Sequence, residues 1–158
     1  MNNIDAFFEE VYTLHYNQKY QLFELWNKEY PTKLAFQCIK DLDDYLNRLI
    51  NVTHYVILEK VKIIGWAFTF NRENERWFAI IIDNNYQKQG LGNQLLSILK
   101  EKETKLLGWV IDHNLDTKVN GETYKSPLEF YVKNNFEILS KERLELDTIS
   151  AVKIQWKK

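Results

Sequence analysis

Apolar residues fall at helical spacing in the first third of the chain. Leu22, Phe23, Leu25, Trp26 and Tyr30 recur over Lys19 to Tyr30, just ahead of Pro31, and Leu42, Tyr45, Leu46 and Leu49 repeat the pattern over Asp41 to Ile50. The spacing predicts two helices. The second opens on Asp41, Asp43 and Asp44, and carboxylates are stabilised by the partial positive charge of a helix start. Ahead of both, Glu10 to His15 alternates and predicts a first strand.

The middle of the chain changes period. His54 to Leu58 is short and β-branched, Lys62 to Phe70 carries Ile63, Ile64, Trp66, Phe68 and Phe70, and the polar turn Asn71 to Glu75 leads into Arg76 to Asp83. Three strands with short connections predict an antiparallel meander. In the third, Trp77 to Ile82 is continuously apolar, as suits a central strand covered on both faces. Leu91, Leu95, Ile98, Leu99 and Lys102 then mark one helical stripe over Leu91 to Lys102.

Leu106 to Ile111 predicts another buried strand, closing at Asp112-His113-Asn114, and Leu115 to Lys125 is a polar loop with Asn120-Gly121, a pair favoured in type I′ turns. Ser126 as N-cap and Pro127 as first residue open a short helix through Lys133. Phe136 to Leu146 and Ser150 to Trp156 predict a closing strand pair. The order β-α-α-β-β-β-α-β-α-β-β describes an α/β chain, with a mixed, mostly antiparallel central sheet of about seven strands and helices on both faces.

Composition narrows the class. At 158 residues, with 45% hydrophobic and 15% aromatic residues, the chain suits one domain over 1–158 with a sizeable core. The net charge is −1 and basic residues are scattered, which argues against a nucleic-acid or membrane-surface partner. The single cysteine, Cys38, allows neither an internal disulfide nor the usual zinc set, and among Leu34, Ala35, Phe36 and Ile39 it reads as inert apolar filler. Met1 to Glu10 lacks the basic start of a signal peptide, and no apolar run approaches the roughly 18 residues of a membrane helix, so a cytoplasmic protein is expected.

The candidate chemistry lies in Gln87-Lys88-Gln89-Gly90-Leu91-Gly92, between the apolar strand and the amphipathic helix. A helix start leaves N–H groups unpaired under partial positive charge, and glycines let an anion approach the backbone, so the turn reads as a pyrophosphate cradle. The dinucleotide fingerprint fails because its third glycine is Leu95, and the Walker loop fails because Gly92 is followed by Asn93-Gln94.

The stretch from Ile82 to Leu96 resembles the acyl-CoA signature of the GNAT superfamily of N-acetyltransferases: Gln or Arg, two residues, Gly, one residue, then Gly or Ala, entered from an aliphatic strand end. Tyr86 before Gln87 and Leu95-Leu96 after the turn also fit. Leu128 to Phe136, with Phe130-Tyr131 and the closing Asn134-Asn135-Phe136, resembles a second block of that family, where a small residue, Gly and Phe are usual. Asn135 replaces that Gly at a position where a positive φ is implied, which Asn tolerates. The segment between Asn114 and Tyr131 is longer than the family pattern, and Thr117 to Tyr124 is the extra, hairpin-like piece.

The resemblance implies the GNAT fold and a direct attack of an amine on the thioester of acetyl-CoA, the co-substrate. It places the thioester carbonyl and pantetheine against the backbone of Ile81, Ile82 and Asp83. The pyrophosphate would lie on N–H groups of Lys88, Gln89, Gly90, Leu91, Gly92 and Asn93, with side-chain help from Gln87 and Lys88, and Asn114 ends the neighbouring strand beside the cofactor. Tyr131 matches the tyrosine that protonates the departing thiolate, and a phenol of ordinary pKa near 10 suits that task.

The base is harder to place, since the strand before the turn offers Trp77, Phe78, Ala79 and Ile80 and no carboxylate. Asp112 and His113 are the candidates, His113 for its ordinary pKa of about 6.5. His15 and His54 read as structural. The acceptor would be a small-molecule or peptide amine bound by a monomer or homodimer. The alternative is a non-catalytic acyl-CoA-binding or regulatory module that kept the cradle without turnover.

Overall fold

The computed structural model describes residues 5–158, so Met1 to Ile4 of the segment read for a leader lie outside it. Its strands are β1 (Ala6–Val11), β2 (Ile50–Glu59), β3 (Lys62–Arg72), β4 (Glu75–Ile82), β5 (Lys105–Val110), β6 (Glu137–Leu146) and β7 (Ile149–Lys157). Its helices are α1 (Tyr16–Glu29), α2 (Ile39–Asn47), α3 (Leu91–Lys102) and α4 (Leu128–Lys133). The seven strands form one sheet in the order β1-β2-β3-β4-β5-β7-β6, antiparallel except for β4 beside β5.

Each face of the sheet carries a core. Leu22, Leu25 and Trp26 of α1 and Leu42 and Leu46 of α2 pack with Trp66, Phe68 and Phe70 of β3. On the other face Leu91, Leu95, Leu96 and Leu99 of α3 pack with Phe78, Leu106, Tyr131 and Phe136. Strand alternation supplies both faces, which explains why β3 is buried almost throughout.

Several boundaries moved for local reasons. The first strand is Ala6–Val11, not Glu10 to His15, because Ala6 and Phe8 pack against the second core while Tyr12 stays exposed. Helix α1 begins before Lys19: His15 Nδ1 accepts the Gln18 N–H at 3.4 Å and the Gln18 side chain returns to the His15 N–H at 3.0 Å. Strand β2 exceeds His54 to Leu58 at both ends because β1 and β3 flank it. Cys38 is exposed at the N-cap of α2 rather than being apolar filler.

The loop after β5 is a hairpin of another type than its Asn-Gly pair suggests. Gly121 has φ +87°, but Asn120 is not in the positive-φ region that a type I′ turn requires. The Gly121 N–H bonds Lys118 O at 2.9 Å and the Lys118 N–H bonds Glu122 O at 2.8 Å, closing a turn with a left-handed glycine after it. Ser126 caps α4 from one position further out: its Oγ accepts the Leu128 N–H at 3.2 Å and donates to Ile111 O at 2.6 Å, leaving Pro127 as the cap residue. Asn135 does take a positive φ, 68°.

Candidate functional site

Strands β4 and β5 share a single registered pair, Trp77 with Leu107. Phe78 lies against Gly108, where a Cβ would come within 3.0 Å of the ring, and Tyr131 and Phe136 pack on Phe78. Beyond that pair the end of β4, Ile80 to Ile82, lines a cleft of about 640 Å³.

The glycine turn forms one wall. Lys88 and Gly90 hold positive φ values of 63° and 82°, and a 3₁₀ turn, Asn84–Tyr86, carries the chain into it from Asp83. Helix α3 starts with no side-chain cap, and among the described residues no protein acceptor takes the N–H groups of Lys88 to Asn93. A Cβ at Gly90 would meet nothing within 4 Å, whereas one at Gly92 would sit 3.0 Å from Phe130 Cζ. Gly90 therefore serves the backbone conformation and Gly92 the approach of α4. The turn leaves a row of free donors facing the cleft, which suits a multiply charged anion.

Tyr131 stands on the α4 side, 6% exposed, and its hydroxyl has no hydrogen-bond partner among the described residues. Burial holds its pKa well above the ordinary phenol value, so the hydroxyl stays protonated across the physiological range.

The opposite wall is built by α1 and the hairpin. Glu29 is buried at 5% exposure; its Oε2 accepts the Asn84 N–H at 2.7 Å and its Oε1 pairs with Lys118 Nζ at 2.9 Å. Lys28 Nζ joins Asp83 Oδ1 at 2.8 Å, so one chain of charges ties α1, the hairpin and the end of β4. Tyr30 and Tyr124 line the same wall, their ring centroids 6.4 Å apart, and burial raises the pKa of both. The hairpin is anchored beside them: Thr32 donates its N–H and its hydroxyl to Thr117 O, at 2.9 and 3.1 Å.

Residues 51–138, more than half of the chain, match the family model described as an acetyltransferase (GNAT) domain. The chain belongs to the GNAT acetyltransferase family. It is thereby an acyl-CoA-dependent N-acyltransferase with acetyl-CoA as co-substrate.

Solved structures agree at the level of fold. The chain is similar to an aminoglycoside 6′-N-acetyltransferase complexed with coenzyme A, with a TM-score of 0.73, 13% identity and 96% of both chains covered. It is similar to a ribosomal-protein alanine N-acetyltransferase from Escherichia coli, with a TM-score of 0.65, 17% identity, and 96% of this chain and 93% of that one covered. An acyl-CoA N-acyltransferase from Pseudomonas aeruginosa gives a TM-score of 0.68 at 14% identity, covering 97% of this chain and 99% of that one. No curated protein matches.

Of the residues that the GNAT resemblance singled out, the cleft gathers Ile81, Ile82, Gln87, Lys88, Gly90, Leu91, Gly92, Asn93 and Tyr131. Gln87 turns inward, its amide donating to Ile82 O at 3.0 Å, so its side chain staples the turn to the strand end. Asp83, Gln89 and Asn114 are not in the lining. Asp83 is taken up by Lys28 and the Asn85 N–H, and Asn114 Oδ1 accepts the Ser126 N–H at 2.8 Å, supporting the start of α4.

Asp112 and His113 also lie outside the lining. Arg143 grips Asp112 through two hydrogen bonds of 2.9 and 3.0 Å and holds its carboxyl below the ordinary carboxylate range. His113 Nδ1 accepts the Leu115 N–H at 3.1 Å. The carboxylates that do line the cleft are Glu29, which the sequence did not single out, and Glu122, one of the scattered acids of the long loop. Glu29 ends α1, so its one local signal was the acidic residue beside Tyr30 and Pro31.

Proposed function

We propose that the protein transfers the acetyl group of acetyl-CoA to a primary amine by direct attack, with Tyr131 as general acid. The free N–H groups of the glycine turn and Tyr131, brought together in the lining of one cleft, carry this reading. The pyrophosphate rests on the N–H groups of Lys88 to Asn93, and the pantetheine and thioester follow the backbone of Ile81 and Ile82. Asp83 and Gln89 support that turn without lining the cleft. The Tyr131 proton goes to the sulfur as the C–S bond breaks; burial keeps the phenol protonated until that moment, and by raising its pKa it also makes the phenol a weaker acid than the ordinary phenol on which the expectation rested.

The acceptor enters on the side of Tyr30, Tyr124 and Glu122, and its ammonium proton leaves through a carboxylate of the cleft. That assignment replaces Asp112 and His113, which the Arg143 pair and the Leu115 N–H engage outside the lining. Structural neighbours named for an aminoglycoside and for a ribosomal-protein alanine support both a small-molecule and a peptide amine as acceptor classes. We place this activity in a single domain over 1–158, acting as a monomer or homodimer in the cytoplasm. No helix among the described residues is long and apolar enough to cross a membrane.

A thermal-shift titration with acetyl-CoA, followed by thiol release over a panel of amines, tests the reading. Acetyl-CoA should raise Tm, because a ligand that binds only the native state stabilises it. The absence of any shift would remove the donor site. The absence of a carboxylate on β4 from Trp77 to Ile80 favours a second reading, a binding module; a Tm shift without thiol release for any amine is its signature.

A further inference from the structure

We propose that Lys118 is itself an acyl acceptor: with acetyl-CoA bound and no competing amine in the cleft, its Nζ is acetylated. The proposal rests on the acetyl-transfer reading above and adds a modification site to it.

Lys118 is a primary amine held inside the cleft. Its side chain is only 10% exposed, and it lines the same cavity as Ile80 to Ile82 and Tyr131. The neighbouring residue, Thr117, is fixed by its two hydrogen bonds from Thr32, so the lysine arm swings from a constant root. Glu29 lies 2.9 Å from Nζ and is tied to the end of β4 through the Asn84 N–H. A nucleophile already tethered beside an electrophile gains the advantage of high effective concentration. The other cleft lysines lack this arrangement: Lys88 belongs to the glycine turn, and Lys125 is exposed with no ion pair among the described residues.

The step balances within the cleft. The Lys118 ammonium passes one proton to Glu29, and the freed lone pair attacks the thioester carbonyl. The N–C bond forms and the C–S bond breaks, with the electron pair leaving on sulfur. Tyr131 protonates that sulfur, and the second amine proton is lost to solvent, which also restores Tyr131. The product holds a neutral amide beside a protonated Glu29, so no unpaired charge is left buried. The Lys118–Glu29 ion pair is lost, while the Thr32, Pro31 and Lys33–Asp116 contacts of the hairpin remain.

The test incubates the full chain with acetyl-CoA and no added amine, then maps acetylated lysines over time by peptide mass spectrometry. Lys118 should be modified at least about tenfold faster than the exposed Lys125 or Lys141. Glu29→Gln should slow Lys118 modification at least about tenfold while acetyl-CoA still raises Tm. Lys118→Arg, which keeps the cation, should bring total incorporation down to the surface background. Equal modification of all lysines, or none at Lys118 while acetyl-CoA raises Tm, overturns the proposal alone. No Tm shift and no modification overturns it together with the acetyl-transfer reading.

Discussion

The indole N–H of Trp66 donates to His54 Nδ1 over 3.1 Å, and the imidazole lies buried, stacked at 5.9 Å on the indole ring. An indole can only donate, so Nδ1 must be unprotonated. Protonation would set two donors against each other, and burial lowers the His54 pKa from 6.5 to about 4. The unfolded chain then takes up a proton that the native chain refuses, so stability is full above pH 6.5 and falls as pH drops towards 4. The loss should amount to about 3 kcal/mol. Urea midpoints from pH 7 to pH 4 check it, and His54→Phe should flatten that limb. Asp112, whose carboxyl Arg143 holds low, acts in a more acidic window, so the two effects separate.

Gly92 and Phe130 give a second expectation. A methyl at Gly92 presses on the Phe130 ring, which is next to Tyr131 in α4. Gly92→Ala should leave stability within about 1 kcal/mol, because alanine favours a helix while the half-buried ring shifts. Its effect should fall on turnover, with acetyl-CoA Kd changed less than about threefold. Gly92→Arg places a long side chain in the lining of the cleft beside the free donors and should raise Kd at least about tenfold. Calorimetric titration of both variants decides the matter; unchanged affinity for the arginine variant would refute the pyrophosphate placement.

Arg76 spends every donor on its own fold. Its Nε bonds Glu103, one terminal nitrogen bonds Asn51 O and Asn71, and the other bonds Thr69 and Thr53. The hollow that it lines is therefore a structural joint between β2, β3, β4 and the end of α3 rather than a second ligand site. Arg76→Ala should cost about 3 kcal/mol in urea unfolding, since several partners lose a charged donor. Lysine, with one compact ammonium, should recover less than half of that. Acetyl-CoA affinity should stay unchanged in both variants.

The parts of this architecture legible in the sequence are those set by neighbours along the chain. Helix α3 runs from Leu91 to Lys102 as its apolar stripe implies, and Asn135 takes the positive φ that its replacement of a glycine demanded. The glycine turn announced a row of free N–H groups because helix-start donors are a local property. The contacts that hold the wall opposite the turn were not legible. Glu29 meets Lys118 across 89 positions, and only the way the hairpin docks on Pro31 and Thr32 joins them. His15 as a cap was hidden because histidine is an uncommon N-cap, and Asp112 drew attention because its partner, Arg143, is 31 residues away.

Tyr131 carries the last expectation. Its ring is wedged among Phe78, Phe130 and Phe136 at centroid distances of 5.1 to 5.7 Å, so phenylalanine fits the same space. Its hydroxyl has no partner among the described residues, so removing it breaks no hydrogen bond, and Tm should move by less than about 2 °C. Acetyl-CoA Kd should change less than about twofold, whereas kcat should fall by roughly 10²-fold or more if the phenol protonates the thiolate. A thioester with a better leaving thiol should narrow the gap between variant and parent, because a less basic thiolate needs less help to depart. A packing tyrosine predicts the opposite pattern, with equal kcat for the two proteins and no dependence on the leaving group. Measuring kcat for both proteins with two thioesters of different leaving-thiol pKa separates those outcomes.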